Sequence, residues 1–278
     1  MRRSNEDRLK GGHKPKPEES AAPMANPMDF ITPSEFVELP SKGRYPEGHP
    51  LCGKDSIEIR YMTAKDEDIL TNRSLLKKGL AIDRLIQNLI IDKSINARHL
   101  YVGDRNAIIV FARASAYGKD YKAKIQCPAC GEHSRFKFDL GDYEMYDGND
   151  TEGTDIQYKE DGTFTTTLPL SNVVARIRPL MGQDELDLVT KGKAKDITND
   201  IITKQMKYFV VDFNGYDDKK TVDYVCENMV ATDSRYLRDC FRIISPDIQL
   251  EQNFVCKHCE HEEVMTVPFG TDFFWPDR

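Results

Sequence analysis

In residues 56–118, the apolar residues first recur with the period of a strand and then with the period of a helix. The stretch 57–61 alternates apolar and polar side chains, which is typical of a half-buried strand. Two apolar stripes at helical spacing follow, formed by Ile82, Leu85, Ile86, Leu89 and Ile90 and by Ala107, Ile108, Val110, Phe111 and Ala114. The pattern predicts a mainly helical subdomain, and it places Arg105 and Arg113 at the rim of that subdomain.

Local signals predict where these helices begin and end. Thr63 and Asp66 have the spacing of a capping box, in which two side chains satisfy backbone amides at a helix start. Gly79 and Gly118 each follow an apolar stretch at helical spacing. Glycine readily takes the left-handed conformation that ends a helix. We therefore expect a helix after Thr63 and further helices that stop at the two glycines.

The stretch 163–246 changes from strand to helix. Residues 163–168 and 172–178 are rich in β-branched side chains and predict two strands. Helices are predicted for residues 183–191, 198–210 and 221–230 and for a last segment that ends before Pro246. This stretch is therefore expected to be mixed, with a helical majority.

Two Cys-x-x-Cys knuckles, each between two predicted strands, carry the most specific chemistry. They are Cys127-Pro128-Ala129-Cys130 and Cys256-Lys257-His258-Cys259, flanked by strands predicted at 121–126, 134–140, 248–255 and 263–269. Two thiolates separated by two residues chelate one ion from a tight turn, and four thiolates complete a tetrahedral zinc site. The alternatives are free dithiols or a redox motif. A histidine from the set His133, His258 and His261 is also able to replace one cysteine.

These patterns predict an α+β protein: a helical subdomain plus a split zinc ribbon of two β-hairpins with a mixed, mostly helical insertion. The predicted segments are a flexible N-terminal tail (1–27), an extended arm (28–55), the helical subdomain (56–118), the first zinc-ribbon hairpin (119–140), an acidic linker (141–162), the insertion (163–246), the second zinc-ribbon hairpin (247–270) and an aromatic C-terminal tail (271–278).

Several segments leave alternatives open. The arm is rich in proline and glycine, so it either reaches a neighbouring protein or folds back on its own domain. Residues 139–161 contain nine acidic residues and one lysine, which favours a solvated connection over a calcium loop, because the EF-hand ligand spacing is missing. Phe273, Phe274 and Trp275 are too aromatic for a free tail and are expected to pack on the domain or on a partner.

Composition excludes several functional classes. The chain has 278 residues and a formal net charge of -7, which argues against a general nucleic-acid binder. An odd count of seven cysteines fits a reducing compartment better than a disulfide framework. Apolar runs are too short for a membrane span, and we expect no export signal. A four-thiolate zinc site is closed, so we expect a structural metal and no enzyme or small-molecule substrate.

The nucleic-acid alternative has one point in its favour. Residues 119–138 carry five basic and two acidic residues, with Tyr121, Phe136 and Phe138 interleaved as stacking candidates. Residues 247–269 oppose it with five acidic residues and one lysine. We therefore interpret the aromatics as the small core of the ribbon. A zinc-ribbon nucleic-acid-binding or transcription-associated protein stays as the alternative function.

Six stretches in a fixed order carry a resemblance to a known family. They are Leu39-Pro40-Ser41-Lys42-Gly43 with Tyr45-Pro46, Met62 to Leu70, Leu75 to Gly79, Val102-Gly103-Asp104-Arg105, Tyr117-Gly118 and Cys127-Pro128-Ala129-Cys130-Gly131. In this order, over residues 36–140, they resemble the T-even-type bacteriophage baseplate hub subunit and hub assembly protein family. The basic N-terminal extension and the acidic linker have no counterpart in that pattern.

The resemblance implies a protein of a contractile phage tail that works by binding other phage tail and baseplate proteins. Its expected place is the virion tail baseplate, after assembly in the host cytoplasm. Both roles in that family, a resident hub subunit and a factor that builds the hub and leaves, fit the sequence. In either role, Zn²⁺ held by Cys127, Cys130, Cys256 and Cys259 is expected to be structural, with no membrane or nucleic acid among the partners.

Overall fold

The structure is a computed structural model and describes residues 32–191, 201–268 and 273–274. The described residues combine α-helices with small antiparallel sheets, which confirms the α+β prediction. The predicted tail at 1–27 lies outside them. Up to the first knuckle the elements are β1 (Ser34–Glu38), β2 (Ser56–Arg60), α1 (Ala64–Thr71), α2 (Arg73–Lys77), α3 (Ala81–Leu89), a 3₁₀ turn (Ala97–His99), α4 (Val102–Tyr117) and β3 (Asp120–Gln126).

The remaining elements complete a second helical and sheet region and return to the second knuckle. They are β4 (His133–Asp139), β5 (Glu144–Tyr146), β6 (Gln157–Tyr158), β7 (Phe164–Thr167), β8 (Val174–Ile177), α5 (Gly182–Lys191), α6 (Ile201–Phe209), β9 (Val210–Phe213), α7 (Lys219–Asn228), α8 (Ala231–Ile244), β10 (Asp247–Gln249), β11 (Glu251–Val255) and β12 (Glu262–Thr266). No helix in the described part of the chain combines the length and the apolar character needed to cross a membrane.

The described part of the predicted arm folds onto its own domain. Strand β1 pairs antiparallel with β2. Among the described residues, Val37 and Leu39 are buried in the larger of two hydrophobic clusters, which is formed by side chains from residues 37–140 and 248–274. Beyond β1, the carboxylate of Asp104 accepts hydrogen bonds from the backbone N–H and hydroxyl of Ser41 and from the Tyr45 hydroxyl. The arm was expected either to reach a neighbouring protein or to fold back on its own domain. Residues 33–55 fold back, because Asp104 of helix α4 supplies these anchoring contacts.

Asp66 joins the start of α1 to two other elements. Its carboxylate accepts from the backbone N–H and hydroxyl of Thr63, from both terminal nitrogens of Arg60 at 2.7 and 2.9 Å, and from the Asn88 amide. Burial alone would raise the pKa of this carboxyl, but the hydrogen bonds outweigh it and lower the pKa to about 2. The predicted Thr63–Asp66 cap is therefore present, and it belongs to a larger buried network.

Replacing Asp66 by asparagine should lower the free energy of unfolding by about 2–3 kcal/mol at neutral pH, because Arg60 loses its charged partner. Since the folded pKa lies below the ordinary value of 3.8, the stabilisation is present above about pH 4 and disappears as the pH falls toward 2. Urea unfolding of wild type and variant should therefore differ most at pH 7 and converge as the pH is lowered to about 2. Asp68→Asn, an exposed carboxylate on the same helix, is the control. An equal loss in both variants would contradict the network.

Two arginines predicted at the rim of the helical subdomain are buried. Arg105 is 4% exposed and donates to Asp83 at 2.7 Å and to the Ala97 carbonyl at 2.8 Å. Arg113 is 1% exposed. The rim prediction was wrong because both guanidinium groups find oxygen partners inside the fold, which offsets the cost of removing the charge from water.

A second hydrophobic cluster forms within residues 156–244. Strands β6, β7, β8 and β9 form an antiparallel sheet in that order, and α6, α7 and α8 contribute buried side chains to the same cluster. Sequence reasoning predicted a helix through Val210, but α6 ends at Phe209 and the chain continues as β9. Pairing of β9 with β8 ends the helix there, since residues 210–213 complete the edge of the sheet.

The acidic stretch at 141–162 contains two short strands that pair with strands elsewhere in the chain. Strand β5 pairs antiparallel with β10, and β6 pairs with β7. Asp155 accepts hydrogen bonds from the Thr166 hydroxyl and the Thr167 backbone N–H. Most of the stretch is exposed, as a solvated connection would be, but it also supplies strand backbone to β10 and β7 and carboxylate acceptors to β7.

Candidate metal centre

Helix α4 positions both cysteine knuckles. Gly118 caps the C-terminal end of the helix, and strand β3 starts two residues later, at Asp120. At the other end of α4, Gly103 lies so close to the backbone that precedes β10 that a Cβ there would be 2.0 Å from the Pro246 carbonyl oxygen. The Asn106 amide also donates to the Asp247 carboxylate at 3.0 Å. The helix therefore brings together two segments that the sequence separates by more than a hundred residues.

The first hairpin pairs β3 with β4 and has one apolar and one charged face. Tyr121, Ala123 and Ile125 are buried on β3, and Phe138 is buried on β4. The side chains between them are exposed, as the two-residue period of a strand requires. The apolar face joins the larger hydrophobic cluster, so the hairpin is anchored along its length and presents the first knuckle at its tip.

The second hairpin pairs β11 with β12. The predicted strand at 248–255 is divided at Leu250, because β10 pairs with β5 while β11 pairs with β12. Leu250 and Phe254 are both buried in the larger cluster. This division leaves the second knuckle at the tip of its own two-stranded sheet.

Direct contacts hold the two hairpins together. The Gln252 side chain accepts from the Asp139 backbone N–H at 3.0 Å and donates to the Asp139 carbonyl at 2.6 Å, as a neighbouring strand residue would do. The rings of Phe136 and Phe254 meet edge to face at 5.5 Å. A polar and an apolar contact therefore fix the position of one knuckle against the other.

The four predicted cysteines come together in space. Their Sγ atoms lie within 4.8 Å of one another. Cys127 Sγ is 3.7 Å from Cys259 Sγ, and Cys130 Sγ is 3.7 Å from Cys256 Sγ, so each short distance joins one knuckle to the other. Tetrahedral Zn²⁺ with Zn–S bonds of about 2.3 Å places its sulfurs about 3.8 Å apart. The cluster therefore has the ligand type and the spacing needed to bind one metal ion.

The two knuckles have matching backbone turns. In the first, the Gly131 backbone N–H donates to the Cys127 carbonyl, and the Cys127 N–H donates to Glu132. In the second, Glu260 donates to Cys256, and Cys256 donates to His261. The first cysteine of each pair is buried and the second is exposed. Each turn therefore presents one sulfur from the core and one from the surface.

The turns also affect thiol ionisation. The backbone N–H of His258 donates to Cys256 Sγ at 3.4 Å, and this bond together with one from Cys259 lowers the pKa of the Cys256 thiol to about 6. The backbone N–H of His261 acts in the same direction on Cys259, but burial and the neighbouring thiols raise the pKa of Cys259 to about 12. The thiolate is the form that binds a metal, so the backbone hydrogen bonds of this turn favour the ligand form of Cys256.

The histidines beside the knuckles lie outside the sulfur cluster. His133 and His258 are exposed, and His261 lies 3.5 Å from the carboxylate of Glu263. The group of candidate metal ligands found in the described residues consists of the four cysteines. Four thiolates leave no coordination position for water or substrate, so this geometry suits a structural ion.

The left-handed residue in each knuckle allows a matched test. Gly131 has φ 74°, and Glu260 holds the equivalent position with φ 57°. Nothing lies within 4 Å of a Cβ built at Gly131, so only backbone strain opposes a side chain there. Gly131→Ala should therefore lower the free energy of unfolding by about 1 kcal/mol, and Glu260→Gly should leave it unchanged or raise it by up to about 1 kcal/mol. Urea unfolding of the zinc-loaded proteins measures both. Losses of equal size would contradict this explanation.

The aromatic residues of the first hairpin belong to the core. Tyr121 and Phe138 are buried, and Phe136 is partly buried against Phe138 and Phe254. The hydroxyl of Tyr121 donates to the Pro268 carbonyl beyond β12. Bases do not reach rings in these positions, so the interpretation of the aromatics as the hairpin's own core agrees with their burial.

Comparison with known protein families gives a match that covers most of the chain. The family model described as T4 bacteriophage base plate protein matches residues 33–275. None of the curated proteins and none of the solved structures matches the chain. The matched residues span both hairpins, the helices before them and the insertion between them.

Proposed function

This chain belongs to the T4 bacteriophage base plate protein family, and from that premise we propose that it acts in the baseplate hub, as a structural subunit or as a hub assembly factor. The family membership, over residues 33–275, is the observation that carries this proposal. A baseplate protein is located in the virion tail and interacts with other tail proteins. Its proposed action is non-enzymatic, and the host cytoplasm is its proposed place of assembly.

The proposed mechanism is a rigid docking scaffold. Zn²⁺ bound by Cys127, Cys130, Cys256 and Cys259 joins the two hairpin tips, which makes the pair a split zinc ribbon. The Sγ distances and the closed ligand set support this assignment. A two-stranded hairpin is marginal by itself in water, so the metal and the contacts at Gln252 keep the exposed faces of both hairpins in one fixed arrangement.

Proteomics of purified virus particles tests the hub proposal. A resident subunit is expected in mature particles at a fixed ratio to other baseplate proteins. An assembly factor is expected in infected cells, bound to hub intermediates, and absent from mature particles. If the protein is absent from particles and does not copurify with any tail intermediate, the proposal fails. Retention of the purified protein on DNA at low salt, with loss at high salt, would instead support the nucleic-acid alternative.

A further inference from the structure

The exposed face of the first hairpin carries four basic side chains in two directly opposed pairs. Lys122 is paired with Lys137 across the hairpin, and Lys124 is paired with Arg135. All four are exposed. We call this set the basic face. Side chains directly opposite each other in an antiparallel pair have Cβ atoms about 4.5–5.5 Å apart, so each pair brings two like charges together and destabilises the hairpin.

Within the described part of the chain, one of these four charges has an ion-pair partner. Lys137 forms an exposed ion pair with Asp120 at 2.8 Å. Lys122, Lys124 and Arg135 take part in no ion pair among the residues that the structure describes. Solubility of a two-stranded sheet does not require this arrangement, because the second hairpin places Glu251 opposite Thr266 at the equivalent surface. The like-charge pairs therefore indicate a surface that is completed by an anionic partner.

We propose that the basic face docks an extended acidic segment of another protein. Side chains on one face of a strand repeat every two residues, about 6.6–6.8 Å apart, so Lys122 and Lys124 match carboxylates at alternate positions of an extended peptide. The facing Arg135 and Lys137 present the same repeat on β4. This inference rests on the proposed docking function and names its chemistry.

The observations favour a peptide over a nucleic acid. The aromatic side chains of the hairpin are packed toward the core, so the basic face offers no stacking platform for bases. Asp120 and Asp139 close one end of the face, and the whole chain carries a net charge of -7. A continuous phosphate track is therefore missing, whereas a short acidic segment fits between the acidic end and the knuckle.

Charge reversal separates docking from stability. In the variant Lys122→Glu/Lys124→Glu, each new carboxylate faces Lys137 or Arg135, so the like-charge pairs become ion pairs and Tm should rise by about 1–3 °C. The probe is a fluorescein-labelled 12-residue peptide of alternating Glu and Thr, measured by fluorescence anisotropy at low salt. The variant should bind it at least tenfold more weakly than wild type. Lys65→Glu/Lys78→Glu makes the same change in net charge at exposed positions on α1 and directly after α2, and it should bind like wild type.

Other outcomes overturn the proposal. It fails if wild type does not bind the peptide, or if both double variants lose binding equally, since net charge would then explain the effect. It also fails if a 12-nucleotide single-stranded DNA binds more tightly than the peptide and is released by the same variant. Proteomics of particles is independent of this measurement, so failure of the peptide test leaves the hub proposal standing, and failure of the hub proposal leaves the binding result standing.

Discussion

Replacement of Cys127 by serine should remove stoichiometric zinc and lower Tm by about 6–12 °C. Cys127 Sγ is 3.7 Å from Cys259 Sγ in the opposite hairpin, so its loss opens the link between the two halves. Structural zinc contributes its binding free energy to folding. A loss of about 3 kcal/mol corresponds to this shift for a domain of this size. Elemental analysis gives the zinc content, and calorimetry gives Tm.

A matched cysteine and a chelator make this test specific. Cys52 is an exposed cysteine away from the cluster, and Cys52→Ser should keep one zinc per chain and the wild-type Tm. Removal of zinc from wild type by a chelator should bring its Tm close to that of Cys127→Ser, and the chelator should barely change the variant. A zinc-free Cys127→Ser protein with wild-type Tm, or a wild type without zinc, would overturn the structural metal.

The sequence predicts best what depends on neighbours along the chain. The stripe around Leu85 and Ile86 predicts α3 because its period is a local property of the helix, and both side chains are buried. Gly118 ends α4 with φ 84° for an equally local reason. The two knuckles are predicted to meet because a metal site requires four ligands, and the structure brings their sulfurs within 4.8 Å.

Apart from the meeting of the two knuckles, which the ligand count of a metal site predicts, features that depend on distant residues were missed. Residues 210–213 continue an apolar helical pattern, and only pairing with β8 makes them a strand. Strand β5 lies in an acidic stretch, and its partner β10 is about a hundred residues away. Charged residues on a predicted helix are assigned to its exposed side by default, but Arg105 has Asp83 as an interior partner. The local spacing of apolar and polar residues does not predict these long-range pairings.

Arg113 is the strongest example of such a long-range feature. Its guanidinium donates to the carbonyls of Phe273 at 2.7 Å, Gly118 at 3.0 Å and Asp120 at 3.4 Å. It also lies over the rings of Tyr117 and Tyr121. Phe273 and Phe274 are buried against the domain, so this part of the aromatic tail packs on its own fold, while Trp275 lies outside the described residues. One side chain therefore joins the end of α4, the start of β3 and the C-terminal segment.

Arg113→Met should lower the free energy of unfolding by about 3–5 kcal/mol, because methionine fills part of the space but leaves buried carbonyls without donors. Arg113→Lys keeps the charge but not the planar fork of donors, and it should lose about 2 kcal/mol. Urea unfolding measures both variants. Arg84→Met, on the exposed side of α3, makes the same chemical change and should stay within about 0.5 kcal/mol of wild type.

A double-mutant cycle tests whether the effect passes through the C-terminal segment. Ending the chain at Gly270 removes Phe273 and its carbonyl, so Arg113→Met should cost less in the shortened chain than in the full one. We expect an interaction free energy of about 1–3 kcal/mol. Strict additivity would show that Arg113 acts only on α4 and β3. The C-terminal aromatics would then be held by their apolar contacts with the cluster alone.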